Sequence, residues 1–478
     1  MRALLSDLDS ATLEQLGVAS AFDVIYAREE LERGHACRGC FGCWVTSPGT
    51  CVMRDGLEQL GRLLGTADEL VVVSRNTHGG FSPLVKRGLD RTLPYLHPCF
   101  RIVDGELHHR MRYDGSLRSG GTGTRLRERI VLYGPSTPSE REGFLATAAA
   151  SQLNQDTDIR GVWFCEDTPD IPACLTESEM PFRAGRRGAG DVLKASPLEL
   201  EEGARQHSRQ PHCPTRIGLI HGSPRGAQSA THALLEDFSD ALAAYDRLGG
   251  ASKAPRAMVR FRSLPSGELA LAEDGGGRGT AGRPMVAEAT TEPAAAELSR
   301  CDAIVIAYPL YMDALPSNLL ATLDQLCATK AIARGTRIYA ISNLGFYEPE
   351  QIMTSFAVLR NWCEATGATW SGGLAVGAGG MLPKVADTPR MGALRRATSE
   401  AMDRLIVAVR SGLSVSDSAK FADERRRAAE LAELNVIATR CALPRIAYRA
   451  VVELGWHAGC KKAGTDINAA PAFSLDSR

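Results

Sequence analysis

Four cysteines crowd into the seventeen residues from His35 to Cys51, HACRGCFGCWVTSPGTC, and Cys37, Cys40 and Cys43 are spaced three apart. Thiolates so placed can bind iron or zinc, or the thiols can simply pack. Structural zinc usually takes two Cys-x-x-Cys knuckles from separate turns. Here three thiols come from one winding turn, which suits neighbouring corners of an iron–sulfur cubane. Ser47-Pro48-Gly49 reads as a turn that returns Cys51 as the fourth ligand, and Gly39 and Gly42 keep the loop small. Three readings stand: a [4Fe–4S] cluster on Cys37, Cys40, Cys43 and Cys51, a zinc ion there, or free thiols in a loop whose Phe41 and Trp44 pack on the fold.

A second chemical stretch is IHGSPRGAQSATHALL, residues 220–235. It follows an apolar run and opens a helical pattern, the setting in which a loop cradles an anion. Gly222 and Gly226 let backbone N–H groups come close, Ser223, Ser229 and Thr231 offer hydroxyls, and Arg225 offers charge. The Walker and Gly-x-Gly-x-x-Gly spacings are missing, so neither ATP nor a dinucleotide in a standard Rossmann site is favoured. In open α/β sheets ligands bind beyond the carboxyl ends of the strands. The neighbouring loops there are YPLYMDALPS (308–317) and SNLGFYEPE (342–350), which offer aromatic rings, prolines and amides. Phosphate donors beside flat apolar surfaces suit FMN.

The elements that must position these loops repeat. ADELVVVSRNTHGGFSPLVKRGLDR (67–91) aligns without a gap on CDAIVIAYPLYMDALPSNLLATLDQ (301–325), Asp68 on Asp302 and Asp90 on Asp324. Each reads as a strand, a turn-rich loop and an amphipathic helix. The runs Leu70–Val73 and Ala303–Ala307 are too continuously apolar for a strand with one wet face, so they predict central parallel strands. Strands are expected at 1–7, 22–27, 69–74, 129–134 and 158–164, then at 215–222, 257–264, 301–307, 337–342 and 372–377. That predicts an α/β chain of two doubly wound parallel sheets, five strands each, plus a helical C-terminal extension. The expected boundaries are 1–166, a linker at 167–213, the FMN-binding half at 214–382 and helices over 383–478, with a mobile Gly/Ala-rich loop at 271–297. In the first half, Asp7 and Asp9 stand where a phosphate would sit, so that half is not expected to bind FMN in the usual way.

Composition narrows the classes. A net charge of −1 in 478 residues gives no drive toward nucleic acid or an anionic membrane. The expectation is a cytoplasmic protein with no membrane span, a small-molecule electron acceptor as partner, and a homodimer as an option. Nine of the 13 cysteines are scattered singly, unlike a disulfide framework. His108 and His109 read as surface or hydrogen-bonded histidines. The tail at 443–464 carries an apolar, aromatic stripe that reads as docking on the protein's own surface, with a membrane-surface or dimer contact as the minor alternative.

GSPRGAQSAT, ADELVVVS…GLDR and CDAIVIAYPLYMDALPSNLLATLDQL resemble the NAD(P)H-dependent FMN reductase branch of the flavodoxin-like superfamily. The resemblance implies a tandem flavodoxin-like fold, non-covalent FMN, NAD(P)H as reductant, and transfer to a quinone, nitro compound or flavin. It places Ser223, Arg225, Ser229, Ala230 and Thr231 on the phosphate, Pro309, Leu310, Tyr311 and Met312 along the isoalloxazine, and Asn343, Leu344 and Gly345 at its other edge. The order C-x2-C-x2-C-x7-C is also similar to the cluster motif of the iron–sulfur flavoproteins, which implies an electron-transfer module as the alternative. A non-catalytic thiol sensor or scaffold is the third reading.

Overall fold

The computed structural model describes residues 1–178, 213–248, 256–272, 291–419 and 435–474. The first half contains β1 (Arg2–Ser6), β2 (Val24–Tyr26), β3 (Glu69–Arg75), a hairpin of β4 (Leu96–Val103) and β5 (Glu106–Met111), then β6 (Arg127–Tyr133) and β7 (Asp158–Cys165). Five of these form a parallel sheet in the order β2-β1-β3-β6-β7. The second half adds β8 (Arg216–His221), β9 (Ala257–Ser263), β10 (Leu269–Leu271), β11 (Ala303–Pro309), β12 (Arg337–Asn343), β13 (Thr369–Val376) and β14 (Val436–Thr439). Its sheet runs β10-β9-β8-β11-β12-β13-β14, parallel except for β10.

Burial explains the strands. Leu70–Val73 and every residue of Ala303–Pro309 are buried, as central strands covered on both faces require. The first crossover helix of the first half is a stub, Ser10–Gln15, whose second-half counterpart is the 19-residue Ala230–Leu248.

Four expectations are corrected. The second sheet has seven strands rather than five. A tight turn at Gly267 folds β10 back on β9, and the β-branched Val436, Ile437 and Thr439 join β13 as an edge strand where a helix was expected. The first half continues beyond 166: helix Ile171–Thr176 packs Ile171 and Cys174 into its core. The rest of the expected linker, 179–212, and loop residues 273–290 lie outside the described residues, while the end of the expected loop, 291–297, is not loop but part of helix Thr291–Leu298. In the C-terminal segment, helices Arg396–Ser411 and Arg445–Ala463 are as expected. Among the described residues no helix is long and apolar enough to cross a membrane.

The halves face each other through equivalent helices. Pro83–Asp90 packs on Ser317–Ala328, and Pro138–Gln155 on Met353–Thr366. The two aligned aspartates both reach across. Asp90 Oδ2 accepts from the Ser317 N–H at 2.9 Å, and Asp324 accepts from Arg75 Nη2 at 2.7 Å. The 74–83 loop also faces the other half, where the His78 carbonyl accepts from Asn361 Nδ2 at 3.0 Å.

One strand residue is buried at a cost. Glu128 on β6 is 4% exposed and accepts from the Thr157 hydroxyl at 2.9 Å. Burial pushes its carboxyl up to about 7, from 4.5. As pH rises through that window the unfolded chain releases the proton while the folded chain keeps it. Stability therefore falls, by about 3 kcal/mol at most. Glu128→Gln is expected to raise the melting temperature at pH 8 and leave it unchanged at pH 4, checked by thermal denaturation at both.

Candidate functional site

The loops after β8, β11 and β12 converge at the carboxyl end of the second sheet, beside the β8–β11 junction where the strand order reverses. They surround a cavity of about 580 Å³, within the range of small-molecule sites. All twelve residues expected at a flavin line it: Ser223, Arg225, Ser229, Ala230, Thr231, Pro309, Leu310, Tyr311, Met312, Asn343, Leu344 and Gly345.

At one end stands the N-terminus of helix Ala230–Leu248. Ser229 caps it, its hydroxyl accepting from the His232 N–H at 3.0 Å and donating to the Gly226 carbonyl at 2.7 Å. The first-turn N–H groups of Ala230 and Thr231 are donors that a helix cannot use internally. The Thr231 hydroxyl is fully buried and donates to Asn343 Oδ1 at 2.8 Å, tying the first loop to the third. Two of the expected hydroxyl donors are therefore already committed. Backbone amides, Ser223 and the exposed Arg225 remain to face an anion, with Lys384 also on the cavity wall.

The middle loop turns through two left-handed residues, Met312 (φ 41°) and Asp313 (φ 60°), closed by a bridge between Tyr311 and Ala314. The first half makes the same turn at His78 and Gly79. Lys86, from the first half, donates to the Tyr311 carbonyl at 2.8 Å and is ion-paired with Asp90, both side chains being 1% exposed. Asp313 is buried on the cavity wall, and Asn154 Nδ2 donates to it. Burial pushes its carboxyl up to about 6, against that bond and the Lys86 ammonium.

The equivalent place in the first half is filled from within. Asp7 accepts from the Arg75 N–H and from the Tyr133 hydroxyl, each at 3.0 Å, and Asp9 caps helix Ser10–Gln15 through the Thr12 N–H. A side-chain carboxylate there takes donors that an incoming anion would need.

The cysteine loop forms part of the cavity wall, with Cys37, Gly39, Phe41 and Trp44 lining it. Cys37, Cys51 and Cys40 all lie close enough to Cys43 to disfavour its thiolate. Burial first, then those neighbours, holds Cys43 well above the usual thiol range, and burial with Asp90 pushes Cys37 up to about 12. Cys37 and Cys43 are therefore thiols rather than thiolates. Among the described residues no group of three or more His, Cys, Asp or Glu side chains is gathered to hold a metal ion, and Cys40 is exposed while Cys43 and Cys51 are buried. All 13 cysteines are free.

No family model matches the chain, and neither does any curated protein or solved structure.

Sequence reasoning missed the far wall of the cavity. His109, on β5, is not a surface residue but lines the cavity with Phe100, and His108 is buried against Asn154 Oδ1 at 2.6 Å. The hairpin's irregular register at His97/Phe100 blurs the alternation that would have marked it as strands. Helix Arg445–Ala463 docks on the protein itself, as expected, and brings Tyr448, Val452 and Trp456 onto the cavity. Its apolar stripe was legible, but nothing in the stripe names the surface that it covers.

Proposed function

We propose that the chain is an FMN-dependent NAD(P)H oxidoreductase that passes electrons to a small acceptor, a quinone, nitro compound or flavin. The carrying observation is that the twelve residues picked from three separate loops meet around one cavity at the switch point. The order of the first sheet, and of the matching five strands of the second, is that of flavodoxin-like folds, which supports reading the chain as a tandem pair. Ser223, Arg225 and the amides of Ala230 and Thr231 would hold the phosphate. Pro309–Met312 and Asn343–Gly345 would flank the ring. Bound there, FMN supplies the hydride and electron chemistry, and the protein supplies orientation and exclusion of water.

Purified protein incubated with FMN is expected to keep flavin absorbance through gel filtration and then to oxidise NADH or NADPH when a quinone is added. Arg225→Glu is expected to weaken FMN binding by about tenfold or more, by setting a carboxylate against the phosphate. Loss of all flavin on the column would overturn the proposal.

The second reading adds a [4Fe–4S] centre on Cys37, Cys40, Cys43 and Cys51, favoured by the position of Cys37 on the cavity wall. Iron and acid-labile sulfide in anaerobically purified protein, expected in equal amounts, check it. Absence of both leaves the loop as packed thiols that complete the wall.

A further inference from the structure

Beside the phosphate loop, the cavity is also walled by a cluster of aromatic rings. Phe41 stacks on Trp44 at 5.1 Å with the planes 18° apart, and Trp456 meets both edge-on, at 5.4 Å and 5.3 Å. His109 sits among Trp44 (4.7 Å), Phe100 (5.2 Å) and Phe346 (5.0 Å). All six line the cavity. They come from four places in the chain: the cysteine loop, the β4–β5 hairpin, the loop after β12 and the C-terminal helix. Arg225 lies over Phe41, 5.4 Å from the ring centre, so the wall begins where the phosphate loop ends.

His109 is the one hydrogen-bond acceptor among these six rings, the Trp44 and Trp456 indoles offering only N–H donors. Burial, with His97 and His108 beside it, pushes its imidazole down to about 3. It is therefore neutral, with one nitrogen carrying a proton and the other free to accept. Nδ1 is buried with no hydrogen-bond partner, and the carbonyls of His97 and Pro98 lie beside the ring.

We propose that this wall is a second subsite that takes a flat, uncharged aromatic ring bearing a hydroxyl, the hydroxyl donating to the unprotonated ring nitrogen of His109. Stacking area selects the ring, and the lone acceptor in an apolar surround selects the donor, because a buried acceptor without a partner is costly. The proposal rests on the function above only in taking such a ring as the reduced, hydroquinone-like form of the acceptor, which carries the hydroxyl once two electrons and two protons have been taken up. The binding itself does not require flavin.

The test is isothermal titration calorimetry of the purified full chain with 2-naphthol and with 2-methoxynaphthalene, with and without added FMN. Wild-type protein is expected to bind 2-naphthol about tenfold more tightly, the worth of one hydrogen bond in a desolvated site. His109→Phe keeps the ring and is expected to bind both equally. Trp456→Ala is expected to weaken both. Equal binding by wild type, no binding of either compound, or a preference that survives in His109→Phe would overturn the proposal. If His109→Phe does not fold, the wild-type comparison still gives the answer. Retained FMN with no naphthol binding sinks this inference alone, and naphthol binding with no retained FMN sinks the flavin reading alone.

Discussion

Lys86→Met is expected to cost about 3–5 kcal/mol of stability, because it leaves Asp90 as a buried carboxylate without its counter-ion. Both side chains are 1% exposed, at the seam between the halves. Burial already pushes the Asp90 carboxyl up, with the Lys86 ammonium and the Ser317 N–H opposing it. Without the ammonium the folded state must hold a proton there that the unfolded chain releases above its ordinary range near 3.8. The loss should therefore be larger at pH 8 than at pH 5. Lys86→Met/Asp90→Leu removes both charges and is expected to recover more than half of the loss, leaving chiefly the Ser317 N–H unpartnered. Urea denaturation midpoints at the two pH values check the series. FMN affinity should fall in the single variant too, since Lys86 also anchors the Tyr311 carbonyl in the cavity wall.

Gly39→Ala carries the second large effect, and it falls on the cavity more than on the fold. Gly39 has φ +61°, where a side chain costs about 1–2 kcal/mol. A Cβ there would lie 1.8 Å from Tyr311 Oη and 2.9 Å from its Cζ. The phenol must move, and with it a ring on the cavity wall. FMN affinity is expected to drop by roughly tenfold or more, with a melting temperature lower by about 5 °C. Gly39→Ala/Tyr311→Phe removes the closest atom and should recover part of the affinity but not the backbone cost. Equal affinities in both variants would show that the contact does not shape the site.

Much of this was legible in the sequence because local signals and the fold agreed. Leu70–Val73 and Ala303–Pro309 are apolar throughout since both faces are covered, and a strand followed by a Gly/Ser turn and a helix marks its own ligand end. What escaped depends on distant partners. The Thr231 hydroxyl looked free, but it donates to a residue 112 positions away. His109 looked like half of a surface or hydrogen-bonded pair, and the hairpin instead turns it toward Trp44. β14 was hidden by the helical spacing of the residues before it.

The reciprocal reach of Asp90 and Asp324 across the seam has a consequence for how such a molecule can change. In an assembly of two identical copies, every substitution arrives twice. Here the counterparts are inherited separately, so Asp7 can close one pocket while Ser223 and Arg225 keep the other open. The open pocket and its abutting walls also travel as a single chain, so dilution should not take them apart.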